Sequence, residues 1–253
     1  MSVWSIAAAQ SGSRPGDLAW NISRHLDFIR QAAVHHVDLL IFPELSLTGY
    51  ELDRVTELAM PMEDTRLEAF AVAATEHSMS IIVGLPLLTA EGILLSAVAF
   101  LPDGTRMAYG KRNLFGEEEK QLFTPGESVP LFGYHQHHVA MAICADISVE
   151  EYARDAARRG ANLYATGVLV SEKGYHHDCE YLARWSRDYK MAVLMANHAL
   201  PTGGYQSAGK SVLWDESGRQ VVTGGEGEQL VIARRTGKDW QGEVHSLRYP
   251  PVI

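Results

Sequence analysis

The start of the chain predicts a strand, a helix and a second strand in direct succession. Residues 3–9 form an apolar run of the length expected for a buried strand, and residues 39–42 form another. Between them, residues 18–36 place apolar side chains at helical spacing, and Asp17 is a candidate N-cap. A βαβ unit joins parallel strands through a helix, so this beginning constrains the chain to a layered α/β fold with a parallel or mixed sheet.

The alternation continues through most of the chain. Helices are predicted at 65–77, 149–159 and 176–190. Further strands are predicted at 80–85, 93–101, 105–110, 139–144, 162–167, 191–196, 211–214, 219–223 and 229–233, with hairpin turns at 102–104 and 215–218. A polar loop is expected at 111–126. We predict one α/β domain over residues 1–253 with a mixed sheet of roughly a dozen strands, and an irregular tail at 237–253 that contacts a partner subunit.

Composition and charge exclude several classes of protein. The net charge of −9 argues against a nucleic-acid-binding protein, which usually carries a basic face. Two cysteines, Cys144 and Cys179, do not make a disulfide framework, and this favours a reducing cytoplasm. The first residues lack a basic start and a long apolar core, and no apolar run approaches ~18 residues. We therefore expect no signal peptide and no membrane span.

Three reactive side chains each follow a predicted strand. They are Glu44, Lys111 and Cys144. A thiol is a nucleophile, a partly buried glutamate is a base that can take its proton, and a lysine can stabilise an oxyanion. Each residue also has a structural interpretation, because buried cysteines often act as small hydrophobes and lysines are usually solvated. Spacing alone leaves open whether the three converge.

Several short segments bear further motifs in a fixed order. They are Ala8-Ala9-Gln10 with Asp17 and Asn21, Phe42-Pro43-Glu44 with Thr48-Gly49-Tyr50, Tyr109 to Phe115, Ile143-Cys144-Ala145-Asp146, and Asn197 with Gly209-Lys210-Ser211, Asp215 and Gly218. Together they resemble the nitrilase, or carbon–nitrogen hydrolase, superfamily over nearly the whole chain. Each segment is weak evidence alone, but the complete ordered set is highly specific.

The resemblance implies a four-layer αββα sandwich with mixed sheets that forms a homodimer or a higher homo-oligomer. It implies that Cys144 is the nucleophile, Glu44 the general base and Lys111 the group that stabilises the tetrahedral intermediate. Glu119 is the best match to a second glutamate of the family, with a role in positioning Lys111 and the substrate. Glu117 and Glu118 are expected to be solvated. Tyr50 and the backbone of Ala145 are candidates for binding the substrate or its oxyanion.

The residues around Cys144 favour an amidase over a nitrilase. Ala145-Asp146 is similar to the amidase-like branch of the family, whereas nitrilases tend to carry Trp-Glu after the cysteine. The leading hypothesis is a thiol amidohydrolase that cleaves a non-peptide C–N bond of a small amide through a thioester and releases ammonia or an amine. A nitrilase acting on a small nitrile and a non-catalytic binding relative remain as alternatives.

Other motifs are not expected to carry function. Residues 204–211 fit the P-loop expression, but the strand before it and the helix after it are missing from the predicted pattern. The histidines of 135–138 lack a nearby cysteine or carboxylate that would complete a metal site, so no metal and no cofactor is expected. Cys179 lies in a predicted helix and is expected to serve packing.

Overall fold

Two β-sheets packed against each other form the centre of the protein. The computed structural model describes residues 3–127, 130–134 and 136–247. Within these residues the strands are β1 Val3–Gln10, β2 Leu39–Ile41, β3 Ser80–Thr89, β4 Gly92–Phe100, β5 Arg106–Gly110, β6 Leu131–Tyr134, β7 His137–Ile143, β8 Leu163–Val168, β9 Ala192–Asn197, β10 Val212–Trp214, β11 Gln220–Thr223, β12 Gln229–Thr236 and β13 Asp239–Ser246.

Both sheets are mixed, with a parallel centre and antiparallel edges. The larger sheet has the order β13-β12-β1-β2-β3-β4-β5, and β1, β2 and β3 are parallel. The smaller sheet has the order β11-β10-β9-β8-β7-β6, and β7, β8 and β9 are parallel. The parallel strands are joined through helices, whereas the antiparallel pairs β4–β5 and β10–β11 are hairpins at the predicted turns.

Helices cover the outer faces of the two sheets. They are α1 Leu18–Val34, α2 Val55–Leu58, α3 Glu68–Glu76, α4 Gly116–Leu122, α5 Glu150–Arg158 and α6 Glu172–Tyr189. The Asp17 carboxylate accepts a hydrogen bond from the Trp20 amide at 3.1 Å, so Asp17 caps α1 as predicted. The αββα sandwich expected from the sequence is therefore confirmed.

The alternation of side chains along β1 explains the layers. Ile6 and Ala8 belong to a core that they share with residues of the smaller sheet, whereas Ala7 and Ala9 belong to a second core beneath α1 and α3. All four side chains are fully buried. A strand that is buried on both faces must be apolar throughout, and this is why the run reads as continuous rather than alternating.

Four sequence-based expectations about the structure were wrong. The segment expected as a polar loop contains α4, because one glutamate of its acidic run faces inward and forms buried contacts. The tail expected to be irregular forms β13, which pairs with β12 over its full length. Strand β6 was not predicted, and the single sheet expected from the strand pattern is divided into two. Residues 248–253 of the tail lie outside the described residues.

The motifs that were expected to be inert have structural roles. Strand β10 follows the P-loop-like segment, and Lys210 of that segment is paired with Glu172 at 2.8 Å. His137 stacks on Trp4 with 3.7 Å between ring centroids, whereas His135 lies outside the described residues. Among the described residues, no helix is both long and apolar enough to cross a membrane.

Candidate active site

The three predicted reactive side chains meet at one end of the sandwich. Strand β5 runs in the same direction as β2, because two antiparallel pairings separate it from β3, which is parallel to β2. Glu44 follows β2 and Lys111 follows β5, so both emerge at the same edge of the larger sheet. Cys144 follows β7 of the facing sheet. Together they line a cavity of about 310 Å³.

Lys111 lies between two buried carboxylates. Its Nζ donates hydrogen bonds to Glu44 Oε1 at 2.7 Å and to Glu119 Oε1 at 2.8 Å. The three residues are at most 2% exposed. Burial lowers the pKa of Lys111, but Glu44, Cys144 and Glu119 outweigh this effect and the net pKa is raised. Lys111 is therefore a permanent cation that fixes the positions of both carboxylates.

Glu44 is tuned to exchange a proton near neutral pH. Burial raises the pKa of its carboxyl to about 7, with Lys111 lowering the pKa and Glu119 raising it. Interaction with the Cys144 thiol is a smaller factor that lowers the same pKa. Glu44 Oε2 is buried and accepts no hydrogen bond from the described residues. This oxygen is consequently available to take a proton from a neighbouring group.

Cys144 lies in a sharp backbone turn directly after the C-terminal end of β7. Its φ of +42° lies in the left-handed region that side chains other than glycine rarely adopt. Its Sγ faces the cavity and lies 3.8 Å from the carbonyl oxygen of Leu169. Burial and the Glu44 carboxylate raise the pKa of the thiol well above its usual value. The thiol therefore needs a base that removes its proton as it attacks.

Glu119, Tyr50 and Ala145 also line the cavity. Glu119 lies on α4, where its Oε1 accepts a hydrogen bond from the Tyr50 hydroxyl at 2.5 Å and its Oε2 accepts one from the Phe115 amide at 2.7 Å. The hydroxyl of Tyr50 therefore contacts the Glu119 carboxylate.

The neighbours of Glu119 confirm which glutamate of the run faces inward. Glu117 and Glu118 are exposed, and Glu117 pairs with Lys120 at 2.8 Å. Cys179 lies on α6, partly buried against the core, and burial is the main cause that raises its pKa to about 11. Its expected role in packing agrees with this position.

Asp146 joins the cysteine turn to the lysine segment, a role that the sequence did not reveal. Its Oδ2 accepts hydrogen bonds from the Tyr109 hydroxyl at 2.7 Å and the Ile143 amide at 3.0 Å. Its Oδ1 accepts hydrogen bonds from the amides of Arg112 and Asn113 at 3.1 and 2.8 Å. Asp146 is fully buried, so these four bonds hold Cys144 in register with Lys111.

Two glycines allow the backbone of Glu44 to pack between the sheets. A Cβ at Gly167 of β8 would lie 2.6 Å from the carbonyl oxygen of Phe42 and 3.0 Å from the Glu44 nitrogen. A Cβ at Gly84 of β3 would lie 2.3 Å from the carbonyl oxygen of Pro43. The distances to the carbonyl oxygens of Phe42 and Pro43 are too short for a real side chain, so only glycine permits this close approach.

His198 contacts the backbone of Glu44 and was also missed by the sequence analysis. Its Nε2 lies 2.7 Å from the backbone oxygen of Glu44. A carbonyl oxygen only accepts, so Nε2 carries the proton and donates it. Burial lowers the pKa of His198 to about 4, which keeps the ring neutral at pH 7. The only sequence signal was its place directly after Asn197.

The fold and the cavity define a class of protein and comparisons define its family. An αββα sandwich with a cysteine beside a buried Glu–Lys–Glu cluster is characteristic of a cysteine hydrolase. The carbon-nitrogen hydrolase family model matches residues 5–242. The chain therefore belongs to the carbon–nitrogen hydrolase family, as the sequence motifs indicated, and is a hydrolase of the cysteine amidase type.

Individual relatives agree with this assignment. The (R)-stereoselective amidase of a Pseudomonas species is 28% identical over 242 residues, which cover 91% of this chain and 88% of that protein. The 2-oxoglutaramate amidase of Bacillus subtilis is 24% identical over 91% of this chain and 90% of its own length. An amidase variant from Nesterenkonia sp. AN1, with acrylamide added to its active-site cysteine, has a TM-score of 0.83 and 25% identity, covering 90% of this chain and 92% of its own.

Proposed function

We propose that the protein hydrolyses the non-peptide C–N bond of a small amide through a thioester on Cys144, releasing ammonia or an amine. The observation that carries this proposal is the convergence of Cys144 with a buried Glu44–Lys111–Glu119 cluster in one cavity. The amidases among its relatives support the choice of an amide. The proposed reaction uses only side chains and backbone groups of the chain together with water.

In the first half of the reaction, the thiol attacks the amide carbon. Glu44 takes the proton from Sγ as the S–C bond forms and the carbonyl oxygen becomes an oxyanion. Lys111 and the backbone N–H of Ala145 stabilise that oxyanion. Glu44 then gives the proton to the leaving nitrogen, the C–N bond breaks, and ammonia departs from a thioester.

In the second half, water cleaves the thioester. Glu44, again ionised, takes a proton from the water as its oxygen attacks the acyl carbon. The tetrahedral intermediate then breaks the C–S bond, the acid is released, and the proton on Glu44 returns to the sulfur. Glu119 keeps Lys111 in place through both halves because it accepts a hydrogen bond from Lys111 Nζ and is itself held by the Tyr50 hydroxyl.

Ammonia release from matched substrates tests the proposal. Purified protein is incubated with primary aliphatic amides and with nitriles of the same chain length, and ammonia and carboxylic acid are quantified together. We expect equal amounts of ammonia and acid from amides and little turnover of nitriles. Faster conversion of the nitriles would favour a nitrilase, and absence of turnover with an unreactive Cys144 would favour a binding protein.

The rate of hydrolysis is expected to rise with pH through about 7. Glu44 acts as a base only when ionised, and burial raises the pKa of its carboxyl to about 7. The logarithm of kcat/KM for a neutral amide should therefore increase with pH with a slope of one below pH 7. Above pH 7 it should become constant. Measurement between pH 5 and 9 checks this expectation, and a profile that is flat or that falls across pH 6–8 contradicts it.

Replacing Gly167 by alanine is expected to lower kcat/KM by about 100-fold or more. The new Cβ meets the backbone beside Glu44, and a shift of that backbone moves the base away from the thiol. Steady-state kinetics and circular dichroism measure activity and folding. Gly133→Ala in β6 is the matched control, because the nearest side-chain atom to its new Cβ lies at 3.7 Å. Activity of Gly167→Ala equal to that of the control would contradict the role of the glycine.

We also propose that the enzyme is a single domain over residues 1–253 that works in the cytoplasm as a homodimer. The free thiols of Cys144 and Cys179 support a reducing compartment. Strand β13, within the tail 237–253, is at the edge of the larger sheet, and its outer backbone groups pair with no other strand of the described residues, so they can meet a partner subunit. Sedimentation equilibrium of the full chain and of one shortened to residue 247 tests this contact.

A further inference from the structure

The cavity contains one carboxylate that the proposed reaction does not use. Asp178 lies on α6, is half-buried, and lines the cavity together with Cys144. The structure shows no hydrogen bond or ion pair from its carboxylate to any described residue. Burial raises the pKa of this carboxyl, and the neighbouring His177 counteracts the effect. The Asp178 carboxylate can therefore accept a hydrogen bond, and no described residue donates one to it.

The exposure of the lining residues shows that the cavity has a buried inner end and an exposed outer end. The reactive cluster forms its inner end, because Glu44, Lys111 and Glu119 are at most 2% exposed. Phe115 and Tyr205 form its outer end and are 59% and 45% exposed. The amide group must reach the inner end to react, so the rest of the substrate extends outward, toward the half-buried Asp178.

Part of the cavity wall is apolar, although Ser148 and Ser171 also line the cavity. Ile147, Leu169 and Val170 line the cavity and offer no side chain that can hydrogen-bond. A short hydrocarbon segment next to the reacting amide fits this wall, because it loses no hydrogen bond when it leaves water. The polar end of such a substrate is then placed beyond the wall, where Asp178 is available.

The charges of the cavity determine which polar end is accepted. Its charged lining residues are one cation, Lys111, and three acids, Glu44, Glu119 and Asp178. Lys111 is already bound by both glutamates, and the nearby Lys210 is bound by Glu172. An anionic substrate would meet Asp178 without a free cation to compensate, whereas a protonated amine would pair with it.

We propose that Asp178 selects small aliphatic amides whose acyl chain ends in a protonated amine. This inference rests on the proposed amidase function and names its substrate class. The amide carbon binds at Cys144, two or three methylene groups follow the apolar wall, and the ammonium donates a hydrogen bond to the Asp178 carboxylate. Amides that carry a carboxylate at the same position are rejected.

Isosteric substrates test the selection. We compare 3-aminopropanamide with butanamide, and 4-aminobutanamide with pentanamide, so that each pair differs only by an ammonium in place of a methyl group. Succinamate supplies the anionic case. The measured quantity is the ratio of kcat/KM for the cationic amide to that for its neutral isostere. We expect this ratio to be about ten or more for one of the pairs, the factor given by one charge-assisted hydrogen bond.

Two variants on the same helix separate the effect of the charge at Asp178 from the effect of the net charge of the protein. Asp178→Asn keeps the shape of the side chain and removes its charge, and it should lower the cationic-to-neutral ratio about tenfold. It should also raise the relative rate with succinamate. Asp188→Asn removes the same charge from an exposed residue paired with Arg184 and Arg187. It should leave the ratio at the wild-type value.

The outcomes distinguish this inference from the proposed function. Hydrolysis of the neutral amides with a cationic-to-neutral ratio at or below one would overturn the selection by Asp178 and leave the amidase function in place. A ratio that is equally high in Asp178→Asn would overturn it in the same way. If none of these amides is hydrolysed by the wild-type protein, the amidase function fails and the substrate class fails with it.

Discussion

Replacing Cys144 by alanine is expected to reduce amide hydrolysis by roughly 10⁴-fold or more. The variant lacks the only thiol in the cavity lining, and no thioester can form without it. Folding should be retained, because Cys144 is only partly buried and the four hydrogen bonds of Asp146 that hold its turn remain. Ammonia release and the thermal midpoint are the two measurements.

Cys179→Ala is the matched control for this experiment. It removes the second thiol of the chain, from a position on α6 that faces the core rather than the cavity. The control should retain activity within about threefold, a range ordinary for a partly buried substitution. Mass spectrometry after treatment with an amide-bearing alkylating reagent should locate the modification on Cys144. A folded Cys144→Ala protein with wild-type turnover would falsify the assignment of the nucleophile.

Replacing Lys111 by methionine is expected to lower the free energy of unfolding by about 3–5 kcal/mol, the usual cost of leaving a buried charge without its partner. Methionine fills the space of the lysine stem but leaves two carboxyl groups facing each other. Hydrolysis should be lost as well, because Glu119 and Glu44 are no longer held. Urea unfolding followed by circular dichroism measures the stability.

The pH dependence of this variant has a definite sign. Without Lys111, the pKa of Glu44 rises above its present value of about 7, whereas its ordinary value is 4.5. A carboxyl with a raised pKa favours the folded state below its unfolded pKa, and this contribution is lost as pH rises through the folded pKa. Both folded proteins keep this proton well below pH 7, so the variant should fall further behind the wild type mainly between about pH 6 and pH 8.

Lys120→Met is the control for the loss of a lysine. Lys120 lies on α4 beside Glu119, but it is exposed and pairs with the exposed Glu117. Its replacement should leave the unfolding midpoint unchanged at every pH in this range, because an exposed ion pair is screened by water. If Lys111→Met were as stable as this control at pH 8, Lys111 would not be the cation that compensates the buried carboxylates.

The sequence predicted the layers of the fold because buried strands and amphipathic helices leave a local periodic pattern. It could not predict β13, whose alternation is weak and whose stability comes from pairing with β12. It also could not predict that α4 would form in an acidic segment. The decisive contacts of that helix are those of Glu119 with Lys111 and with Tyr50, and Tyr50 is far from Glu119 in the chain.

By itself, the sequence determined the αββα class, the family and the residue types of the reaction, because ordered motifs around Glu44, Lys111 and Cys144 are local properties of the chain. Only the tertiary structure showed how Asp146 and His198 position those groups and that Asp178 faces the same cavity. These residues act through contacts between segments far apart in the chain. Their spacing in the sequence carries no record of such contacts, because it is the packing of two sheets that brings them together.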